Sequence, residues 1–117
     1  MVKPKAKGSK FENEILKQCR EIYPDTHKTL GSGSTDKDQG DLIFMQYCIE
    51  CKHHKDFTDA ILEGFWTKIQ KEAEQRGKIP LLLYKTNRRK PIVMFKMKPG
   101  VRAMMYWDEF LEQVVKK

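Results

Sequence analysis

Asp41, Glu50 and Lys52 stand in the stretch GDLIFMQYCIECK, residues 40–52, which is otherwise apolar enough to form buried sheet. Alternate residues of a strand share a face. Glu50 and Lys52 therefore project to one side, roughly 6.6 Å apart along the strand. Cys48 shares that side, while Ile49 and Cys51 turn the other way. Asp41 opens the preceding strand, and a hairpin between the two strands would bring Asp41 and Glu50 together at one end. Two convergent carboxylates make a hard-cation site, because Mg²⁺ prefers oxygen ligands and keeps several waters; Mn²⁺ would substitute for it. A lysine beside them can position or deprotonate the attacking water, or stabilise the charge developing on a phosphorane. That set of residue types suits phosphodiester hydrolysis.

Two further residues join the set. Glu12 lies on the line Glu12, Leu16, Cys19, at the border of an apolar helical stripe. A carboxylate there sits half buried and can serve the metal through water or hold a second ion. Gln70 occupies a similar border beside Trp66 and Ala73, where it could contact a phosphate or steady the lysine. Each residue also has a plainer explanation. Alternating charges on a strand usually mark a solvated face or a cross-strand ion pair. Glu12 alone reads as a capping-box residue, and Gln70 alone as a surface glutamine. The combination outweighs its parts: Gly-Asp, then Glu-Cys-Lys, follows a glycine-rich loop and precedes an amphipathic helix.

The elements that must hold these residues follow from periodicity. Met1 to Gly8 reads as a flexible basic arm, with a single domain over residues 9–117. A helix is expected from Ser9, with Phe11, Ile15, Leu16, Cys19 and Ile22 on one side. Ser9 would cap it, with Glu12 completing a capping box, and Pro24 would end it. His27 to Leu30 reads as a short strand, and residues 31–40, GSGSTDKDQG, as a polar glycine-rich loop. Asp41 to Met45 and Tyr47 to Lys52 read as two strands linked tightly near Gln46. No Asn-Gly or Asp-Gly marks that turn. Asp59 to Arg76 is the clearest helix, with the stripe Leu62, Phe65, Trp66, Ile69 and Ala73, and Gly77 suits its C-terminal cap. Strands follow at Ile79 to Lys85, Pro91 to Met97 and Val101 to Tyr106. Asp108 would then cap a last helix through Val115. The order predicts an α/β or α+β domain around a central mixed sheet.

Charge points to the partner. The 117 residues carry 23 Lys and Arg against 16 Asp and Glu, a net charge of +7, which favours an anionic partner, with nucleic acid first. The basic residues cluster at Lys3 to Lys10, Lys52 to Lys55, Arg88 to Lys90 and Lys116 to Lys117. Three cysteines without secretory marks read as reduced thiols in a cytoplasmic compartment. The longest apolar runs, Leu81 to Tyr84 and Pro91 to Phe95, are too short to span a bilayer, so no membrane association is expected.

The sequence resembles the PD-(D/E)XK nuclease superfamily, and within it archaeal-type Holliday junction resolvases and their phage-borne relatives. KGSKFENEIL, residues 7–16, is similar to that family's opening helix, with Glu12 at the position of its glutamate. GSGSTDKDQGDLIF resembles the serine-glycine loop leading to the metal-binding aspartate, which falls on Asp41. IECK, residues 49–52, matches the Glu-x-Lys motif, giving Glu50 and Lys52. FWTKIQKEAEQRGKIPLLLYK, residues 65–85, looks like the helix and strand that follow. The resemblance implies a restriction-endonuclease-like core: a mixed sheet flanked by helices. It implies a metal held by Asp41, Glu50 and the backbone carbonyl of Cys51, assisted by Glu12, with Lys52 as the catalytic lysine; Gln70 joins the catalytic set from its border position alone. It implies a homodimer that cuts opposed strands of a four-way DNA junction and leaves 5′-phosphate and 3′-hydroxyl ends, in a prokaryotic or phage-infected cytoplasm. Lys10, Ser32, Ser34, His53, His54, Lys55, Arg88 and Arg89 are the expected DNA contacts. Phe95, Met97, Met104, Met105 and Tyr106 are candidates for the dimer interface, although core packing explains most of them.

Other readings compete. Cys48-x-x-Cys51 with nearby His53 and His54 has zinc-ligand spacing. Against it, the two cysteines face opposite ways in a regular strand and a second ligand pair is missing. His53 and His54 could serve as general bases, but beside a basic run they read as phosphate-facing. A nuclease fold that has lost catalysis and only binds DNA is a second class, opposed by the intact Asp41, Glu50 and Lys52. A nicking, repair or restriction-like endonuclease is a third.

Overall fold

A computed structural model of the chain describes residues 4–29 and 41–116, with side chains from residue 8 onward. The first helix, α1 (Pro4–Ile22), buries Phe11, Ile15 and Cys19, one residue per turn. It begins earlier than the expected start at Ser9. Residues 4–8 of the expected arm are therefore helical, Ser9 is not the cap and Glu12 is not a capping-box residue. A proline suits the first helical turn, where its missing N–H would have no partner anyway. The helix stops before Pro24, whose ring disfavours helical backbone in the residue ahead of it. The turn is then pinned, with Thr26 Oγ1 donating to Tyr23 O at 2.7 Å and Arg20 Nε to Thr26 O at 2.8 Å.

Strands β1 (His27–Lys28), β2 (Leu42–Phe44) and β3 (Tyr47–His53) pair antiparallel in turn. The β2–β3 link is a two-residue turn, since Phe44 pairs with Tyr47. Met45 takes its left-handed position at φ 54°. Helix α2 (Asp59–Gln75) starts where Thr58 Oγ1 accepts from Ile61 N at 3.2 Å. Its end is marked by Gly77 at φ 67°, a conformation glycine adopts without penalty. The chain returns as β4 (Ile79–Lys85), parallel to β3, and continues antiparallel through β5 (Ile92–Lys98) and β6 (Val101–Tyr106). A short helix, α3 (Trp107–Phe110), runs into wider π-type turns over Leu111–Val115. Tyr106, not Asp108, occupies its N-cap. Asp108 sits in the first turn, where its Oδ1 accepts from Glu109 N at 2.8 Å and its Oδ2 pairs with Lys90 at 3.1 Å.

Among the described residues, six strands lie in chain order, with β3–β4 the parallel pair in an otherwise antiparallel sheet. Helices α1 and α3 cover one face, packing Phe11, Ile15, Trp107 and Phe110 on Leu42, Ile49, Leu81 and Val93. Trp107 Nε1 donates to Gln18 Oε1 at 2.8 Å and ties these two helices together. Helix α2 covers part of the other face through Trp66, Ile69 and Ala73, on Cys48, Leu82 and Met94. The fold is thus α+β, a central mixed sheet flanked by helices. No helix among the described residues is long and apolar enough to cross a membrane.

Candidate active site

The strand alternation places Cys48, Glu50 and Lys52 on the α2 face, and the hairpin register sets Asp41 next to them. Leu42 pairs with Ile49, so Asp41, one residue earlier, comes level with Glu50. The backbone of Asp41 is fixed by Thr29: Asp41 N donates to Thr29 Oγ1 at 2.8 Å, and Thr29 N donates to Asp41 O at 2.8 Å. Cys48 Sγ donates to Asp41 Oδ2 at 3.6 Å. Pairing with β2 ends at Ile49, while β3 runs on to His53. One edge of the Glu50–Lys52 backbone is therefore outside the β2 ladder, as a ligating carbonyl at Cys51 requires.

Asp41 and Glu50 are 2% and 4% exposed, so both carboxyls are shut away from bulk water. Burial, then the Glu72 carboxyl beside it, then the Glu50 charge push the Asp41 pKa up to about 8. Lys68 Nζ reaches Glu50 Oε1 at 3.3 Å and Glu72 Oε1 at 3.9 Å from a half-exposed position. Burial works against the Lys68 ammonium, but Glu50 and Glu72 outweigh it and its pKa is raised. Lys52 Nζ lies 3.9 Å from the same Glu50 oxygen and 4.7 Å above the Phe65 ring. The ring and the carboxylate together aim its ammonium along the sheet face.

Glu12 sits on the α1 side, 2% exposed, with Lys28 Nζ 2.7 Å from its Oε1. The contact is a close charge pair without an aligned hydrogen bond. Burial raises the Glu12 pKa against the pull of Lys28, and the charges of Glu50 and Lys52 also reach it. Gln70 is half-buried on the border of α2 beside Trp66 and Ala73, whereas Lys68 and Glu72 occupy the opposite border. Cys48 packs against α2 and Cys51 against α1, so the two thiols diverge and do not form a zinc pair. All three cysteines are free.

Among the expected DNA contacts, Lys10, Lys55, Arg88 and Arg89 are exposed. His53 is half-buried, with Nε2 3.0 Å from Asn87 Oδ1 and its ring edge-on to Phe11. His54 stacks on Phe57 with centroids 4.8 Å apart. Ser32 and Ser34 lie outside the described residues. Of the interface candidates, Met97, Met104 and Tyr106 are exposed, while Phe95 and Met105 pack against the core.

Sequence reasoning missed Lys68, Glu72 and Lys28. The first two had a signal: at i and i+4 they border the Phe65–Ile69 stripe on the side that faces β3. Lys28 had none, because its β1 strand is only two residues long.

The donor set fits a hard divalent cation. Two buried carboxyls with a third beside them gather hard oxygen donors in one place, and burial together with Glu72 and Glu50 favours the protonated form of Asp41. Among the described residues, no three His, Cys, Asp or Glu side chains form a ready-made metal cluster. Mg²⁺ sites commonly use one or two carboxylates and complete the shell with water and substrate phosphate.

A family model described as "Phage putative PDDEXK endonuclease" matches residues 3–116. No curated protein and no solved structure matches the chain.

Proposed function

The chain belongs to this PDDEXK endonuclease family, and on that premise we propose that it is a Mg²⁺-dependent endodeoxyribonuclease that resolves four-way DNA junctions as a homodimer. The convergence of buried Asp41 and Glu50 on one sheet face, with Lys52 beside them, carries the reading. Asp41, Glu50 and the Cys51 carbonyl would hold the ion, with Glu12 near the opposite face. A bound Mg²⁺, or Mn²⁺ in its place, supplies Lewis-acid polarisation of the scissile phosphate and a lowered water pKa.

The chain's own groups do the rest. Glu50 and Phe65 hold the Lys52 ammonium in place, where it would orient the attacking water and meet negative charge growing on the phosphoryl oxygens. The water oxygen would give up a proton to solvent and bond to phosphorus as the bond to the 3′-oxygen breaks, and the departing 3′-oxygen would take up a proton from solvent, leaving a 5′-phosphate and a 3′-hydroxyl. Burial and then Glu72 favour the protonated form of Asp41, so Asp41 would release a proton on taking up its role as a ligand. Lys10, Lys55, Arg88 and Arg89, all exposed, would meet backbone phosphates together with His53 and His54, and Gln70 would contact a phosphate or steady Lys52. Such contacts position DNA and make binding salt-dependent.

The preference for junctions and the dimer rest on the likeness of residues 7–95 to junction resolvases. They are tested with a synthetic four-way junction beside a linear duplex of the same arms, both with Mg²⁺. Paired symmetric nicks in the junction alone are expected. Equal cutting of both substrates would make the protein a general, nicking or repair endonuclease. Tight junction binding without cutting would leave a DNA-binding module.

A further inference from the structure

Lys52 is the first member of a row that crosses the sheet. It pairs in register with Tyr84 on β4, Tyr84 with Ile92 on β5, and Ile92 with Tyr106 on β6. Paired residues share a face, so all four project on the α2 side. At about 4.8 Å per strand, Tyr106 stands roughly 14 Å from Lys52, a distance that a few nucleotides of one strand cover. Helix α2 does not cover this end of the row. A depression of about 260 Å³ remains, lined by Tyr84, Thr86, Arg89, Lys90, Ile92 and Tyr106. Rings link the lysine to the depression: Lys52 lies over Phe65, His54 contacts both Phe65 and Phe57, and Phe57 packs edge-on against Tyr84 with centroids 5.3 Å apart.

The lining has two chemistries. Tyr106 is 46% exposed and presents a ring. Lys90 Nζ lies 4.9 Å from that ring's centroid and 3.1 Å from Asp108 Oδ2. Both partners of this ion pair are about 60% exposed, so it is weak and opens readily for a competing anion. Arg89 belongs to a tight turn in which its N donates to Thr86 O at 3.2 Å. Arg88 in the same turn holds φ 62°, a backbone region that side-chain-bearing residues rarely adopt. An aromatic ring beside a pair of cations matches the π-face of a base and the phosphates flanking it. A duplex hides its base faces in the stack, whereas an unpaired nucleotide offers one.

We propose that this depression is a subsite for an unpaired nucleotide of the DNA strand leading away from the cut, its base against Tyr106 and its phosphate against Arg89 and Lys90. The inference rests on the nuclease reading, because the row is anchored at Lys52. It adds a substrate feature: DNA with a splayed, unpaired flank.

The test compares two metal-free binding titrations by fluorescence anisotropy at one salt concentration. One duplex carries a short single-stranded thymidine extension; the other carries an abasic extension of the same length and charge. The wild-type protein should bind the thymidine extension about tenfold more tightly, in the range seen for one base stacked on an aromatic ring. Tyr106→Phe should keep that ratio and Tyr106→Ala should bring it to about one. Asp108→Asn, which frees Lys90, should tighten binding of both DNAs. A 4-thiothymidine in the extension should crosslink to β4–β6, a readout that does not depend on any variant folding. A wild-type ratio of one, a ratio unchanged in Tyr106→Ala, or crosslinks confined to other elements overturns the subsite. So does an altered oligomeric state in Tyr106→Ala with the ratio intact, which would assign the patch to a contact between copies. A protein that cuts no DNA with Mg²⁺ yet shows the tenfold ratio keeps the subsite and loses the nuclease reading. One that cuts with a ratio of one loses only the subsite.

Discussion

Replacing Asp41 with asparagine should make the metal-free protein more stable at pH 8 while abolishing its response to Mg²⁺. Asp41 is 2% exposed, and its carboxyl titrates at about 8 against an ordinary 3.8, driven first by burial and then by Glu72 and Glu50. Below about pH 4 the group is protonated in the folded and unfolded chains alike and costs nothing. Between about pH 4 and pH 8 the unfolded chain ionises while the folded one keeps its proton, so stability falls as pH rises, and the loss is complete above about pH 8. At about 1.4 kcal/mol per pH unit, the gap caps the penalty at roughly 6 kcal/mol. Sharing of charge with Glu50 and Glu72 and relaxation of the site reduce it, leaving about 2 kcal/mol. For a chain of this size that corresponds to a rise in Tm of roughly 8 °C. The asparagine side chain still offers an oxygen to the Cys48 thiol, so packing is retained. Thermal melts in EDTA at pH 8 and pH 4 measure the effect, with a second pair of melts in Mg²⁺. The variant should melt higher at pH 8, level with wild type at pH 4, and gain little from Mg²⁺. A variant melting below wild type at pH 8 without metal would refute the charge-crowding argument.

Lys68→Met removes the ammonium 3.3 Å from Glu50; the Mg²⁺ concentration for half-maximal cleavage should fall roughly three- to tenfold. The half-exposed pair should contribute under about 1 kcal/mol to metal-free stability, and an unchanged Mg²⁺ requirement would show that Lys68 does not compete with the cation. Burial pushes the Cys19 and Cys48 thiols up to about 12 and Cys51 well above its usual range. A disulfide reagent at pH 8 should therefore label none of the three in the folded protein and all of them after denaturation; rapid native labelling would contradict their burial.

Much of the site was legible because its signals are short-range. Alternation along residues 47–53 sets which side chains share a face, and the observed clusters follow it. The approach of Asp41 to Glu50 needed only that the two strands form a hairpin. The turn itself carried no sign, because Met45 rather than glycine takes the left-handed position. The early start of α1 was hidden by lysines and a glycine that give no apolar periodicity before Phe11. Gln70 and Lys68 both border the α2 stripe, and sequence alone does not say which border faces the acids. That choice depends on the crossover from β3 to β4, a tertiary feature, which sets Lys68 beside Glu50 and Glu72 beside Asp41.

The most direct test of the central claim is a Mg²⁺-dependent cleavage time course of wild type, Glu50→Gln and Lys52→Ala, each with DNA affinity measured in EDTA. Both variants should lose at least about a hundredfold in rate while binding DNA within a few-fold of wild type. Full cleavage by either purified variant would remove Asp41, Glu50 and Lys52 as the active site.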